Sequence, residues 1–224
     1  MTIGLVFLSL LMAVIVGWLM RQTWNVQPWQ AQAALPLQPE PVAARPAIKT
    51  ALWVFLAVAS SLFALFVSAY AMRLSFGDWA PLPRPPLLMV NTVVLAAASV
   101  SMQWTVLAAR RGNQQRVMRG LLASGALTLG FLAGQVIVWR QLHGAGFVVN
   151  SSAATGFFYM LTAVHGAHVL GGLVAWARAT LRKPRTTLAI ELCATYWHFL
   201  FAVWIVLYLL LASNDFGLAI CTAP

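Results

Sequence analysis

The feature that most constrains this chain is the apolar run at residues 157–176, FFYMLTAVHGAHVLGGLVAW. It is long enough to cross a bilayer, which takes roughly 20 predominantly apolar residues. Backbone N–H and C=O groups find no water in hydrocarbon, so a spanning segment must satisfy them internally and becomes helical. The run therefore predicts a transmembrane helix.

Five more apolar runs predict the same kind of helix, and they cover residues 3–20, 50–72, 87–109, 120–139 and 188–211. The chain is 61% hydrophobic and 8% charged, whereas roughly a quarter of the residues of a soluble domain are charged. We predict an all-α, polytopic transmembrane bundle of six spans. Residues 1–22 would form an extra N-terminal helix and residues 23–49 a linker rich in Pro, Ala and Gln. Residues 50–212 would form a five-helix bundle, and residues 213–224 a short tail.

The first run has a second interpretation, a cleaved signal peptide with AQA at residues 31–33 as its cleavage site. A signal peptide normally begins with a positively charged segment. No Lys or Arg precedes the apolar run here. We therefore favour a retained helix.

The basic residues predict the orientation. If the N-terminus lies outside, the cytoplasmic loops hold 11 of the 14 Lys and Arg and the opposite side holds 3. The first group is Arg21, Arg45, Lys49, Arg110, Arg111, Arg116, Arg119, Arg178, Arg182, Lys183 and Arg185; the second is Arg73, Arg84 and Arg140. Short cytoplasmic loops carry the excess of Lys and Arg, so both termini are predicted to lie outside. This pattern also explains the net charge of +10 without a nucleic-acid partner.

Small residues at four-residue spacing predict positions where helices pack closely in lipid. They fall in two of the runs: Ala163, Ala167, Gly171 and Ala175 in one, and Gly130 and Gly134 in another. From the first row we expect that Gly171→Leu loosens the bundle more than His168→Gln does.

Ionisable residues at membrane depth cost about 2.5 kcal/mol or more and are candidate functional groups. The spans hold four of them: His165, His168, Glu191 and His198. His165 and His168 are three residues apart and share a helical face, and Glu191 and His198, seven apart, share another. Glu191 has two interpretations, an interfacial acid paired with Arg or Lys, or a partner for a histidine on a neighbouring helix.

Metal or haem ligation by the histidines is not favoured. A haem held on both sides needs ligands from opposing helices, a dinuclear copper site needs paired cysteines, and a di-iron bundle needs several glutamates. We predict neutral histidines that hydrogen-bond between helices, with Gln135 or His198 meeting His165 and His168. No cofactor is expected in this chain.

Four blocks of sequence closely resemble the signature of cytochrome c oxidase subunit III. They are MVNTVVLAAASVSMQWTVLAAR (residues 89–110), GFLAGQVIVWRQL (130–142), FFYMLTAVHGAHVLGG (157–172) and ELCATYWHFLFAVW (191–204). The matched positions of the family motif are His165, Gly166, His168, Glu191, Tyr196, Trp197, His198 and Trp204.

The resemblance implies an integral subunit without haem or copper that packs on the catalytic subunit of a haem–copper oxidase, where the haem and copper lie. It also implies bound phospholipid in a cleft between helices, support of sustained proton uptake, and a bacterial cytoplasmic (inner) membrane. Two positions depart from the family, because Ala59 and Phe201 stand where the motifs FLASE and YWHFVD carry acids. The resemblance therefore does not imply a carboxylate role in proton handling at these two positions of this chain.

Other functions stay open. One is an accessory subunit of a quinol oxidase or nitric oxide reductase, since the sequence does not distinguish cytochrome c from quinol as electron donor. Another is a small polytopic transporter, although the short, broken spans that mark a transporter site are not evident.

Overall fold

The structure is a computed structural model that describes residues 44–74, 76, 82–83, 85–181 and 186–212. These residues form five helices: α1 (Ala44–Arg73), α2 (Leu87–Arg110), α3 (Gln114–Gly144), α4 (Ala153–Leu181) and α5 (Thr187–Ala212). All five are long and apolar enough to cross a membrane, and this part of the chain contains no strand. The all-α membrane fold is thus confirmed. The predicted first span at residues 3–20, most of the linker and the tail lie outside the described residues.

The helices fall into two compact units. One unit ends at Met72 and contains α1, in which Ala59 is buried. The other begins at Arg73 and contains α2 to α5. The five-helix bundle predicted over residues 50–212 stays a prediction, and the site described below lies within the second unit.

The four helices of the second unit pack in a ring. α2 contacts α3 and α5, and α4 contacts the same two helices. Consecutive helices are antiparallel neighbours because their connections are short, as in Arg111–Asn113 between α2 and α3. The apolar runs predict these neighbours, because a short connection places the next helix antiparallel beside the one before it.

The helices extend beyond the apolar runs that predict them. α3 begins at Gln114, whereas the apolar run begins at residue 120, because Asn113 caps the helix: its Oδ1 accepts the Arg116 N–H at 3.0 Å. α4 likewise covers Ala153–Leu181 and not only residues 157–176. The polar ends lie outside the apolar windows, so hydropathy does not indicate them, although the backbone hydrogen bonding continues.

The turn between α2 and α3 depends on Gly112. Its φ is 71°, a left-handed conformation that residues with a Cβ adopt at a cost. The Asn113 N–H then donates to the Ala108 carbonyl at 3.1 Å, which satisfies a carbonyl at the end of α2. A side chain at this position would strain the turn, so a topology probe belongs elsewhere.

Our first prediction concerns orientation and uses two exposed positions, Gln115 and Gly144. In a chain whose native Cys193 and Cys221 are replaced by serine, Gln115→Cys should react with a membrane-impermeant maleimide only from the cytoplasmic side. Gly144→Cys should react only from outside, because the excess of Lys and Arg faces the cytoplasm. Labelling in intact cells and in inverted vesicles measures this, and the reverse pattern would overturn the orientation.

Candidate interhelical polar site

His165 lies at the centre of the four-helix unit in a cluster of three rings. Its side chain is completely buried, with 0% exposed. The His165 ring lies 5.2 Å from the Trp204 ring and 5.9 Å from the Phe131 ring, measured between centroids. Phe131 and Trp204 meet edge to face at 4.8 Å. The cluster therefore joins α3, α4 and α5 through ring packing around the histidine.

Trp204 links this cluster to α2 as well. Its indole Nε1–H donates to Thr92 Oγ1 at 3.0 Å. Thr92 in turn donates its hydroxyl to the Leu88 carbonyl of its own helix at 2.9 Å. The threonine hydroxyl thus uses both its donor and an acceptor lone pair, and all four helices meet at one place.

The same arrangement occurs twice more between other helices. Trp197 Nε1–H donates to Thr128 Oγ1 at 3.0 Å, and Trp139 Nε1–H donates to Thr162 Oγ1 at 3.0 Å. Each threonine donates to the carbonyl four residues earlier, Thr128 at 2.8 Å and Thr162 at 2.7 Å. Threonine can return its hydroxyl to its own helix and still accept from a neighbour. Sequence analysis selected Trp197 but not its partner, because the spacing along one helix does not show which helix faces it.

We predict that Thr128→Val destabilises the chain more than Thr128→Ser does. Valine has a similar shape but offers no acceptor, so the buried Trp197 N–H loses its hydrogen bond, at about 1 to 2 kcal/mol. Serine keeps the hydroxyl. Thermal unfolding of the two variants in detergent, followed by tryptophan fluorescence, compares them, and equal midpoints would show that this hydrogen bond contributes nothing measurable.

His198 bonds to α2, not to the other histidines. Its Nε2–H donates to Gln103 Oε1 at 3.0 Å, and Ser99 Oγ–H donates to its Nδ1 at 2.6 Å. These assignments fit a neutral ring with its proton on Nε2. Both ring nitrogens are occupied, so the predicted contact between His198 and His165 or His168 is wrong.

Gln135 is also buried, yet it does not hydrogen-bond to a histidine. Among the described residues its amide nitrogen and oxygen have no hydrogen-bond partner, and the same holds for Asn91 Nδ2. The predicted contact of Gln135 with His165 or His168 is therefore absent from the described part of the chain. Gln135 follows Gly134, which packs against the Asn91 side chain.

His168 is half-buried and has different surroundings from His165. Its Nδ1 lies 2.8 Å from the Val164 carbonyl one turn earlier, and a ring N–H donates there. The His168 carbonyl accepts the Tyr196 hydroxyl at 2.9 Å. The histidine thus bonds to its own helix through its ring and to α5 through its backbone.

Glu191 forms an ion pair at the end of α5. Its Oε1 accepts from Arg110 Nε on α2 at 3.0 Å. The side chains are 30% and 62% exposed respectively, so this pair contributes little to stability. Glu191 and His198 both bond to α2, as their shared helical face allows. Glu191 had two interpretations, an interfacial acid paired with Arg or Lys and a partner for a histidine. The contact with Arg110 fits the first.

The row of small residues on α4 is not covered by the other described helices. Ala163, Ala167, Gly171 and Ala175 are all exposed, and a Cβ built at Gly171 meets nothing within 4 Å. Nothing among the described residues lies near a side chain at Gly171, so the reason for expecting Gly171→Leu to loosen the bundle more than His168→Gln is not found there, and the comparison of the two variants stays a prediction. Every face of α4 is apolar, so the four-residue spacing could not indicate which face the other helices cover.

Other glycines form the close contacts within the unit. A Cβ at Gly172 would lie 2.7 Å from the Tyr196 ring, and one at Gly125 would overlap the Trp176 ring. Gly134 is buried against Asn91, whereas Gly130 is exposed, and a Cβ built there would lie 3.9 Å from Val94 Cγ1. Of the GxxxG pair, then, Gly134 makes the tighter contact. Gly125 was missed because no small residue repeats at a regular interval around it.

The arrangement can hold helices together. No three His, Cys, Asp or Glu side chains converge as a metal-ligand set within the described ranges. The tryptophans, His168 and His198 bond between helices or back to their own backbone. The fold and this site define a polytopic α-helical membrane protein whose helices are joined by hydrogen bonds at membrane depth.

Comparison with known proteins gives the family. The family model for cytochrome c oxidase subunit III matches residues 48–213. The chain belongs to the cytochrome c oxidase subunit III family, and the resemblance drawn from the four sequence blocks is confirmed.

Several relatives carry that name. Cytochrome c oxidase subunit 3 of Corynebacterium diphtheriae is 32% identical over 159 residues, covering 67% of this chain and 78% of the relative. The protein of Synechocystis sp. with the same name is 32% identical, covering 70% and 71%. A Mycobacterium bovis protein described as "Probable cytochrome c oxidase subunit 3" is 35% identical, covering 66% and 77%.

Proposed function

We propose that this chain is a non-catalytic subunit III of a bacterial terminal cytochrome c oxidase. It would pack on the catalytic subunit, hold phospholipid, and support sustained oxygen reduction and proton uptake in the cytoplasmic membrane. Family membership is the observation that carries this proposal. Haem and copper would lie in the partner subunits, since the family is generally without cofactors.

The polar geometry supports a structural role. Three indole N–H groups donate to threonine hydroxyls on neighbouring helices. In lipid, such bonds together with close packing hold helices against each other, because no hydrophobic effect separates a helix from acyl chains. These hydrogen bonds fix the positions of the helices relative to one another. A subunit that supports a neighbouring subunit needs such a fixed arrangement of helices.

The replacement of two family acids supports the same role. Ala59 is buried on α1 and Phe201 is half-buried on α5. Neither side chain can take up or release a proton, and Glu191 is held by Arg110 at the end of its helix. We therefore infer that the chain supports proton uptake by keeping the catalytic subunit in shape and not by carrying protons.

Depletion of the chain tests this proposal. Oxidase purified without it should begin turnover at a rate close to that of the intact enzyme and then lose activity faster, and adding the chain back should restore the lifetime. The oxygen electrode measures both quantities. A depleted enzyme with normal haem spectra but no initial activity would mean that the chain takes part in the reaction. An assembly oxidising quinol but not cytochrome c would assign it to a quinol oxidase.

A further inference from the structure

Two uncharged polar side chains lie in the interior of the four-helix unit, Asn91 on α2 and Gln135 on α3. They are 3% and 4% exposed. Among the described residues, Asn91 Nδ2 and both polar atoms of the Gln135 amide have no hydrogen-bond partner. Burying an amide N–H or C=O group without a partner costs free energy. These two nitrogens and one oxygen therefore require a ligand that can both accept and donate.

The two amides lie at the same level of the unit. A Cβ built at Gly134 would overlap the Asn91 side chain and lie 3.0 Å from its Nδ2. Asn91 thus contacts α3 at the residue directly before Gln135, and it can do so because Gly134 has no side chain. Both side chains are buried between the helices, so the two amides belong to one layer of the interior.

Polar groups of the other two helices lie near this level. Trp204 on α5 donates its indole N–H to Thr92, the residue after Asn91. Phe131, one helical turn before Gln135, contacts the His165 ring on α4. The layer therefore receives a polar side chain from each of the four helices. Polar sites inside proteins bind ordered water, whereas apolar cavities stay dry.

The chemistry of the three amide atoms indicates the ligand. A cation would be repelled by the two N–H groups, and an anion would be repelled by the Gln135 carbonyl. Water accepts and donates, and it is small enough for an interior site. Asn91 is the fifth residue of α2, about 6 Å along the axis from Leu87. The path for water from the end of the helix is therefore short.

We propose that an ordered water molecule binds between α2 and α3 in this layer. It accepts from Asn91 Nδ2–H and donates to Gln135 Oε1, and Gln135 Nε2–H donates to a second water. The bound water joins two helices whose amides do not bond to each other directly. This inference is independent of the proposed function, because it uses only the packing of the four-helix unit.

A density map of the full chain in the assembly purified from its membrane tests the site directly. At a resolution that shows ordered water, a peak is expected about 3 Å from both Asn91 Nδ2 and Gln135 Oε1. A direct bond between the two amides would overturn the inference. A side chain from residues 1–43 in that place, or no density there, would overturn it as well.

Substitution of the amides gives a second test, in which the sign of the effect decides. Gln135→Met and Asn91→Leu keep the approximate size of each side chain and remove its polar atoms. If water pairs the amides, each single variant should lower the thermal midpoint of the detergent-solubilised chain by about 2 to 4 °C. If the amides have no ligand, each variant removes an unpaired buried group and raises the midpoint, which would contradict the inference.

The double variant and a matched control complete this test. With Asn91→Leu and Gln135→Met together the layer is apolar and needs no water, so the loss should be smaller than the sum of the two single losses. Additive losses would mean that the amides share no ligand. Gln141→Met makes the same change at an exposed position of α3 and should leave the midpoint unchanged. An equal loss there would assign the effect to the substitution and overturn the site.

Discussion

Gly172→Leu is expected to prevent α4 and α5 from packing, whereas Gly171→Leu, at the next residue, is expected to leave them in contact. A Cβ at Gly172 would lie 2.7 Å from Tyr196 Cε1 and 3.4 Å from Leu200 Cδ1. A leucine side chain must push these groups away, at a cost of about 1 to 3 kcal/mol. Gly171 is exposed with open space around it, so a leucine there meets no neighbour among the described residues.

The measurement is thermal stability. Each variant is solubilised in detergent and heated, and size-exclusion chromatography then shows the temperature at which it aggregates. Gly172→Leu should aggregate at a clearly lower temperature than the parent chain, and Gly171→Leu should match the parent. Tyr196→Ala should partly rescue Gly172→Leu, because the ring that collides with the leucine is gone. Equal behaviour of the two leucine variants would mean that α4 presents a different face to α5.

The second large effect is expected at Trp204. Trp204→Ala removes the ring that contacts His165 and Phe131 and also the donor to Thr92. Truncating a buried tryptophan costs about 3 to 5 kcal/mol. Thr92→Val keeps the rings and removes only the threonine hydroxyl, which accepts from Trp204 and donates to Leu88, and it should cost about 1 kcal/mol.

Unfolding midpoints of these variants should therefore fall in the order parent, Thr92→Val, Trp204→Ala. Trp104→Ala provides the control, because that tryptophan is 69% exposed and its loss should leave the midpoint unchanged. If Trp204→Ala unfolds at the same temperature as Trp104→Ala, the ring cluster does not hold the four helices together.

The membrane-spanning elements were predictable because hydrocarbon leaves the backbone few alternatives. Each apolar run over the described residues became a helix. The ends of the helices were less predictable. Most of the basic segment after α2 is helical, and only the turn at Arg111–Asn113 separates α2 from α3. Helical hydrogen bonding continues through polar residues there, and hydropathy carries no signal for it.

The partners of the polar residues could not be predicted from spacing alone. Glu191 and His198 share a face, as their spacing requires, but only the packing of α5 on α2 decides that they meet Arg110, Ser99 and Gln103. The small residues on α4 show the same limit. Lipid is as apolar as the interior, so Gly171 and Gly172 look alike in the sequence, although one is exposed and the other is buried.

The most direct test of the account is affinity purification of the tagged full-length chain from its native membrane, with haem spectra and identification of the co-purifying chains. The account predicts that a haem-bearing catalytic subunit co-purifies in equal amount, and that this chain carries no haem once the subunits are separated. A chain that purifies without haem-bearing partners, or that keeps a Soret band after separation, would contradict it.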